Sequence, residues 1–238
     1  MANVKETLTV VIPVYNEEEV IETVLSDWHS TLTSMGIDFQ IKCYNDGSKD
    51  DTWAVLRPLG DSLARLNVYD KQNSGHGPTI LKGYRDSFDS TWIFQVDSDD
   101  EIPASEFPKV WEERALYDLI LGRRIKSKTP LPRKIISFIS RTVVGILYGA
   151  NVSDVNTPFR LMRVGALSEY IDKIPATTFA PNLLVTGLSS LKGLRYLEVP
   201  VHYRIRQTGT ISIQKFKLLK VSCRALIETV QFRFKGLH

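Results

Sequence analysis

The chain has 238 residues, 43% hydrophobic and 24% charged, an ordinary globular composition with length for one well-cored domain and a small appendage. That excludes a disordered or low-complexity polypeptide. A net charge of +3 is too small to attract nucleic acid globally, and no segment approaches the roughly 18 apolar residues of a membrane span. Two cysteines, Cys43 and Cys223, supply neither a disulfide framework nor metal-ligand spacing, which fits a reducing compartment. Met1-Ala2-Asn3-Val4-Lys5-Glu6 lacks the apolar run of a signal peptide, so a cytoplasmic location is expected.

Leu8-Thr9-Val10-Val11-Ile12-Pro13 is a continuous, largely β-branched run of the kind that forms a strand buried on both faces. It leads into Val14-Tyr15-Asn16-Glu17-Glu18-Glu19, where Asn16 is expected as an N-cap with acidic residues in the first turn. The helix that follows carries Val20, Val24, Leu25 and Trp28 on one face and ends near Gly36. A second strand is expected at Phe39-Gln40-Ile41-Lys42-Cys43-Tyr44, and then Asn45-Asp46-Gly47-Ser48-Lys49-Asp50-Asp51-Thr52 as a turn feeding a second helix. A short third strand at residues 66–69 precedes the loop Asn73-Ser74-Gly75-His76-Gly77-Pro78, a helix over 79–88 and a fourth strand over 92–96. This alternation in units of about 30 residues predicts an α/β fold: a mostly parallel sheet, helices on both faces, and ligands at the carboxyl ends of the strands. Neither a Gly-x-Gly-x-x-Gly after the first strand nor a Lys-bearing phosphate loop is present, so dinucleotide oxidoreductases and P-loop enzymes lose their main support.

The fourth strand runs into Asp97-Ser98-Asp99-Asp100-Glu101. Carboxylates this close repel one another and are costly to desolvate, so the cluster sits either in water or against a cation. Mg²⁺ and Mn²⁺ take oxygen ligands and keep positions open for substrate phosphates, so Asp97 and Asp99 at a strand's end can face one ion. Taken alone, the segment reads as a solvated turn closed by Pro103 or as a metal site.

Pro13-Val14-Tyr15-Asn16-Glu17, Asn45-Asp46-Gly47-Ser48-Lys49-Asp50-Asp51-Thr52, Asn73-x-Gly75-x-Gly77 and Asp97-Ser98-Asp99 stand in the order and spacing of family 2 glycosyltransferases with the GT-A fold. Within that family the chain most resembles the dolichol- and polyprenyl-phosphate sugar transferases. The resemblance implies a GT-A catalytic domain over residues 1–209 with a basic amphipathic helix over 210–238. It places Pro13, Tyr15, Glu17 and Asp46 on the nucleoside, adds Gly77 to the nucleotide-sugar site, and puts Asp97 and Asp99 on a metal at the diphosphate. Asn45 replaces the first acidic residue of the usual Asp-Asp-Gly-Ser, and His76 and Pro78 stand where a small or basic residue and Ala are commoner. Glu101 replaces the family's Gln and would add a third metal ligand.

Tyr117-Asp118-Leu119-Ile120-Leu121-Gly122-Arg123-Arg124 reads as a strand ending in two arginines, and its Gly-x-Arg matches the family segment that carries Arg124. Arginine forks suit phosphate oxygens. After Pro130-Leu131-Pro132, residues 133–149 form a helix with apolar residues around much of its circumference, either buried or lying in a membrane interface. Asn151-Val152-Ser153-Asp154-Val155-Asn156-Thr157-Pro158-Phe159-Arg160 keeps the family's Asp-x-x-x-x-Phe-Arg, which makes Asp154 the residue facing the acceptor. It would be a general base toward a hydroxyl, whereas toward a polyprenyl phosphate, already ionised, it would only position groups. Arg160 is expected to pair with a carboxylate and fix the loop.

Tyr196-Leu197-Glu198-Val199-Pro200-Val201 is the last expected strand, and the Arg and Gly that follow match the family's diphosphate clamp at Arg206. Residues 212–235 place Phe216, Leu219, Cys223, Leu226, Ile227, Val230 and Phe234 near helical spacing. Lys215, Lys217, Lys220, Arg224, Arg233 and Lys235 are opposed by Glu228 alone. Such a helix suits an anionic bilayer surface, or it packs on the sheet or another subunit with its basic face in water. The expectation is therefore an inverting, Mg²⁺- or Mn²⁺-dependent transferase moving a sugar from a nucleotide-sugar donor to a polyprenyl phosphate. It would sit at the inner membrane face, attached peripherally or through a membrane-protein partner or homo-oligomer, with no nucleic acid involved. The rivals are a transferase acting on a saccharide hydroxyl with Asp154 as base, and a non-catalytic surface-binding module.

Overall fold

The computed structural model describes residues 6–125, 131–204 and 215–235, with the side chains of 131–134 and 215–222 outside the described set. Its strands are β1 (Thr7–Val14), β2 (Asp38–Asp46), β3 (Leu66–Lys71), β4 (Trp92–Gln95), β5 (Leu119–Ile125), β6 (Arg160–Arg163) and β7 (Tyr196–His202). They form one sheet in the order β3-β2-β1-β4-β6-β5-β7. β1 pairs in parallel with β2 and β4, β2 with β3, and β5 with β7. Only β6 runs antiparallel, between β4 and β5.

The unbroken apolar run of β1 is divided between two cores, as strand alternation requires. Leu8, Val10, Ile12 and Val14 pack with Val24, Leu25 and Trp28 of α1 (Ile21–Ser34), while Val11 packs with Ile80, Leu81 and Tyr84 of α3 (His76–Arg85). α2 (Thr52–Ser62) and α4 (Phe107–Glu112) cover the first face. α5 (Leu131–Tyr148), α6 (Val164–Lys173), α7 (Pro181–Leu191) and α8 (Lys215–Lys235) join the second. The end of β4 is wedged by aromatic rings: Phe94 lies 4.7 Å from Phe159, 4.8 Å from Phe107 and 5.3 Å from Trp28. Each such pair adds about 0.5–1.5 kcal/mol beyond the area it buries, so the strand that delivers the acidic residues has a firm base.

Three local expectations change. Asn16 is not an N-cap: it adopts a left-handed backbone (φ 55°), and the helix begins at Ile21. The turn lays the loop after β1 across the loop after β2, where the Lys49 N–H donates to Asn16 Oδ1 at 2.8 Å and the Glu17 N–H to Thr52 Oγ1 at 2.9 Å. α3 begins at His76 instead of Thr79, because Gly75 at φ 94° makes the sharp entry and Pro78 falls in the first turn, where an N–H has no helical acceptor anyway. Residues 160–163, to which the sequence patterns assigned no element, form β6, and residues 164–195, likewise unassigned, hold α6 and α7.

Within the described residues α8 runs over Lys215–Lys235 and packs against α5. Tyr148 Oη donates to the Thr229 carbonyl at 2.8 Å, and Arg233 Nε to the Leu147 carbonyl at 2.9 Å. Ala225 and Phe232 are buried in the second core, whereas Ile227, Val230 and Phe234 are exposed. No helix among the described residues is long and apolar enough to cross a membrane.

Candidate active site

Because β1, β2, β4, β5 and β7 share one direction, their carboxyl ends bring most of the expected residues to one edge of the sheet. Pro13 is buried in β1 opposite Tyr44, and Tyr15 stands at the surface, 36% exposed. The Glu17 carbonyl accepts the N–H groups of Val20 and Ile21 and so starts α1. Their loop meets the loop that follows Asp46 through the Asn16 and Glu17 N–H groups, which donate to Ser48 Oγ and Thr52 Oγ1 at 2.9 Å each.

Asp46 organises the loop that follows β3. Its Oδ1 takes Lys71 Nζ and, at 2.9 Å, the Ser74 N–H, while Oδ2 takes the Gly75 N–H at 2.8 Å. Burial alone would raise this carboxyl, but hydrogen bonds from Lys71, Ser74 and Thr79 and the Lys71 charge outweigh it and hold Asp46 below the usual range. Asn45 turns its amide toward Asp70, 2.7 Å away, so the acidic group absent at position 45 is met from the next strand. Gly77 lies against the backbone of residues 178–179, and a Cβ there would run into the Thr178 and Phe179 carbonyls. Its place is a close packing contact that sets the N-terminus of α3.

Val96, Asp97, Asp99, Glu101, Ile102, Arg124 and Pro158 line a recess of about 230 Å³ that includes its solvent-open mouth. Asp97 Oδ1 lies 3.5 Å from His76 Nε2 at the start of α3 and 3.5 Å from Gln95 Nε2. Asp99 Oδ1 accepts the Glu101 N–H at 3.1 Å. Asp100, at φ 54°, pairs with Arg204 at 3.1 Å, and the Glu101 carbonyl accepts the Arg204 N–H at 2.7 Å. Burial, and then the hydrogen bond to Glu101 and its charge, push the Tyr203 hydroxyl up to about 12.

Among the described residues no three His, Cys, Asp or Glu side chains form a ready-made metal cage. The oxygen-only set of Asp97 and Asp99 has the donor chemistry that Mg²⁺ and Mn²⁺ use when substrate phosphates complete the shell. Glu101 lines the same recess but is engaged by Tyr203.

Opposite the acidic residues stands Arg124. Its Nε donates to Asp154 Oδ2 at 2.8 Å and its Nη2 to Oδ1 at 3.3 Å, a two-toothed pair. Burial would lower the Arg124 guanidinium, but the charge and hydrogen bonds of Asp154, with Glu101 and Tyr203 behind, keep it above its ordinary value. Arg160 is fully buried and, contrary to expectation, its hydrogen bonds go to neutral groups. It donates to the carbonyls of Val155, Thr157 and Asn182 and to Thr186 Oγ1. It does fix the loop, through carbonyls, because β6 carries it beneath the loop and not beside an acid. Burial lowers it, with Tyr84, Asp154 and Asp97 acting against that. Arg206 lies outside the described residues, as do the side chains of Lys215, Lys217 and Lys220.

Sequence reasoning missed Glu198, which receives both the Ser153 and Asp154 N–H groups. Its place in the last expected strand, just ahead of the family-matching Arg and Gly, was the available signal. His76 is exposed, and the early start of α3 brings its Nε2 to 3.5 Å from Asp97.

A mostly parallel sheet with an acidic, arginine-faced recess at its carboxyl edge is the GT-A architecture. Residues 9–171 match the model of glycosyl transferase family 2, and the chain belongs to that family. It is similar to an undecaprenyl-phosphate 4-deoxy-4-formamido-L-arabinose transferase of Pectobacterium carotovorum, with 24% identity over 91% of this chain and 65% of the relative. An undecaprenyl-phosphate mannosyltransferase of Micrococcus luteus is 24% identical over 84% of each chain. The chain thus spans about 65% of the length of the first of these relatives. Among solved structures, glucosyl-3-phosphoglycerate synthase of Mycobacterium tuberculosis, crystallised with Mn²⁺, UDP and phosphoglyceric acid, superposes with a TM-score of 0.70 at 18% identity, covering 96% of this chain and 78% of that one. Mannosyl-3-phosphoglycerate synthase of Rubrobacter xylanophilus gives 0.68 at 10% identity, covering 98% and 77%.

Proposed function

We propose that this chain is the catalytic part of an inverting glycosyltransferase that moves a sugar from a nucleotide-sugar donor to a polyprenyl phosphate. The observation that carries this reading is the two-toothed Arg124–Asp154 pair beside Asp97, Asp99 and Glu101. A hydroxyl acceptor needs a base, and a carboxylate with both oxygens on a guanidinium is poorly disposed to take a proton. A phosphate acceptor is already ionised, and the Nη1 side of the same guanidinium, which Asp154 does not occupy, offers it N–H donors. The names of the relatives, which include undecaprenyl-phosphate sugar transferases, support the same acceptor class.

In this reading Pro13, Tyr15, Glu17, Asp46 and Gly77 bound the nucleoside side, and Asp97 and Asp99, with Glu101 beside them, are the residues that would hold Mg²⁺ or Mn²⁺. A divalent ion there supplies neutralisation of the leaving diphosphate. Arg124, joined by Arg206 as the sequence implies, adds positive charge where the anomeric C–O bond breaks. Asp154 orients Arg124 on the acceptor side.

Attachment to the inner face of an anionic membrane is part of the proposal. Phe138 and Ile146 on α5 and Ile227 and Phe234 on α8 are exposed, with Arg141 and Lys235 also at the surface. That combination suits partial insertion among acidic headgroups.

A panel of nucleotide sugars, each with Mn²⁺, Mg²⁺ or chelator, tests the donor side by thermal shift. A ligand at about 100 times its Kd stabilises by about 2.7 kcal/mol. A metal-dependent rise in Tm with one donor class is expected, and no rise with any nucleotide sugar contradicts the proposal.

A further inference from the structure

The segment that carries Asp154 is held from two sides by residues that perform no chemistry in the transfer. Leu121 of β5 stands in register with Arg160 of β6 on one side and Glu198 of β7 on the other. Both neighbours hold the 153–157 segment. Glu198 Oε1 receives the Ser153 N–H at 2.9 Å, Ser153 Oγ at 2.8 Å and the Asp154 N–H at 3.0 Å, and Oε2 also lies within reach of Ser153. Arg160 holds the Val155 and Thr157 carbonyls from below. Further along the same β5 strand, Arg124 meets the Asp154 side chain. Asp154 therefore bridges the β5–β7 pair, its main chain tied to β7 and its carboxylate to β5.

Successive backbone N–H groups converging on one anion form a nest, and hydrogen bonds to an ionised acceptor are about twice as strong as neutral ones. A glutamate kept only for solvation at a sheet edge would have no reason to fill that nest. We propose that Glu198 is a positioning residue that sets where Asp154 and, through it, the Arg124 fork meet the acceptor. This rests on the transferase reading above, and the role is tied to the acceptor side because, among the described residues, the hydrogen bonds of Glu198 go to Ser153 and Asp154.

Three substitutions test it: Glu198→Ala, Glu198→Gln and Asp154→Asn, with Glu198→Ala also placed in the Asp154→Asn background. Misplacement of a positioned group by about 1 Å costs up to about 100-fold. Glu198→Ala should therefore lower kcat/KM for polyprenyl phosphate by about 10- to 100-fold. Glu198→Gln, which keeps an acceptor oxygen, should recover part of the loss, and ground-state donor affinity should stay within about 2-fold, since Arg124 acts on the leaving diphosphate only as charge builds in the transition state. In the Asp154→Asn background the added loss should nearly vanish, because both changes remove one interaction chain. Hydrogen exchange gives a readout independent of turnover: Glu198→Ala should deprotect the 151–157 segment while β1 and β4 keep their protection.

Wild-type turnover in Glu198→Ala, or a full additive loss in the Asp154→Asn background, would overturn the proposal. If the wild-type chain transfers no sugar, the transferase reading falls, and unchanged protection of 151–157 in Glu198→Ala then overturns the clamp on its own.

Discussion

Replacing Asp46 with Asn separates its part in the loop from any contact with a nucleoside. Oδ1 takes Lys71 Nζ and the Ser74 N–H, and Oδ2 takes the Gly75 N–H. An asparagine offers one acceptor oxygen, so its NH₂ must face either Gly75 N–H or the Lys71 and Ser74 donors. Breaking a buried ion pair from one side costs about 3–5 kcal/mol. Lys71 retains the Gln72 carbonyl at 2.9 Å and Ser74 Oγ at 2.7 Å, which lowers the loss to about 2–4 kcal/mol. At about 2–4 °C per kcal/mol for a chain of this size, Tm should fall by about 4–16 °C. Calorimetry of the nucleotide-free protein near neutral pH measures this. A Tm within about 1 °C of wild type would refute the loop role and leave nucleoside contact as the reason for an acid at this position.

Further outcomes are expected. Gly77→Ala drives a methyl into the Thr178 and Phe179 carbonyls and should cost about 1–3 kcal/mol, whereas Gly165→Ala in α6, where a Cβ meets nothing, should be neutral or gain up to about 1 kcal/mol; denaturant midpoints compare them. The folded carboxyls of Asp46 and Glu106 are held below their reference values of 3.8 and 4.5. Their stabilisation is therefore complete above those values and is lost as pH falls through the depressed folded ones, where the unfolded chain binds more protons. Tm should be flat near neutrality and drop in acid, less steeply in Asp46→Asn, and a drop on the alkaline side with none in acid would contradict this. Phe138→Ser with Ile146→Ser should weaken binding to anionic vesicles by about 10-fold or more if these side chains enter the bilayer. Sedimentation with vesicles measures it, and unchanged binding would move the contact elsewhere.

What was legible in the chain was the part carried by continuous apolar runs and turn residues. β1 and β4 announce themselves because both sheet faces are covered, so each strand is mostly apolar, while β2 keeps Phe39, Ile41 and Cys43 on the first core face and Tyr44 on the second. The four residues of β6 begin and end in arginine. Neither periodicity nor composition marks such a strand, and its antiparallel insertion between β4 and β5 is decided by tertiary packing. Asn16 carried a sound capping signal, yet the cross-loop bonds to residues 48 and 49 outweighed it. At the site, the motifs located Asp97, Asp99, Arg124 and Asp154. They could not reveal that Arg124 and Asp154 pair, or that a glutamate on the neighbouring strand holds the latter, because those contacts join residues distant in sequence.

The most direct measurement is product formation from a donor nucleotide sugar and polyprenyl phosphate, followed by mass spectrometry, for wild type, Asp97→Ala and Asp154→Asn. Wild type should yield a sugar-linked polyprenyl phosphate that chelator and Asp97→Ala abolish, and Asp154→Asn should retain part of the turnover because no acceptor proton must be removed. Transfer to a saccharide hydroxyl but not to polyprenyl phosphate, abolished outright in Asp154→Asn with donor binding intact, would contradict the lipid-phosphate reading.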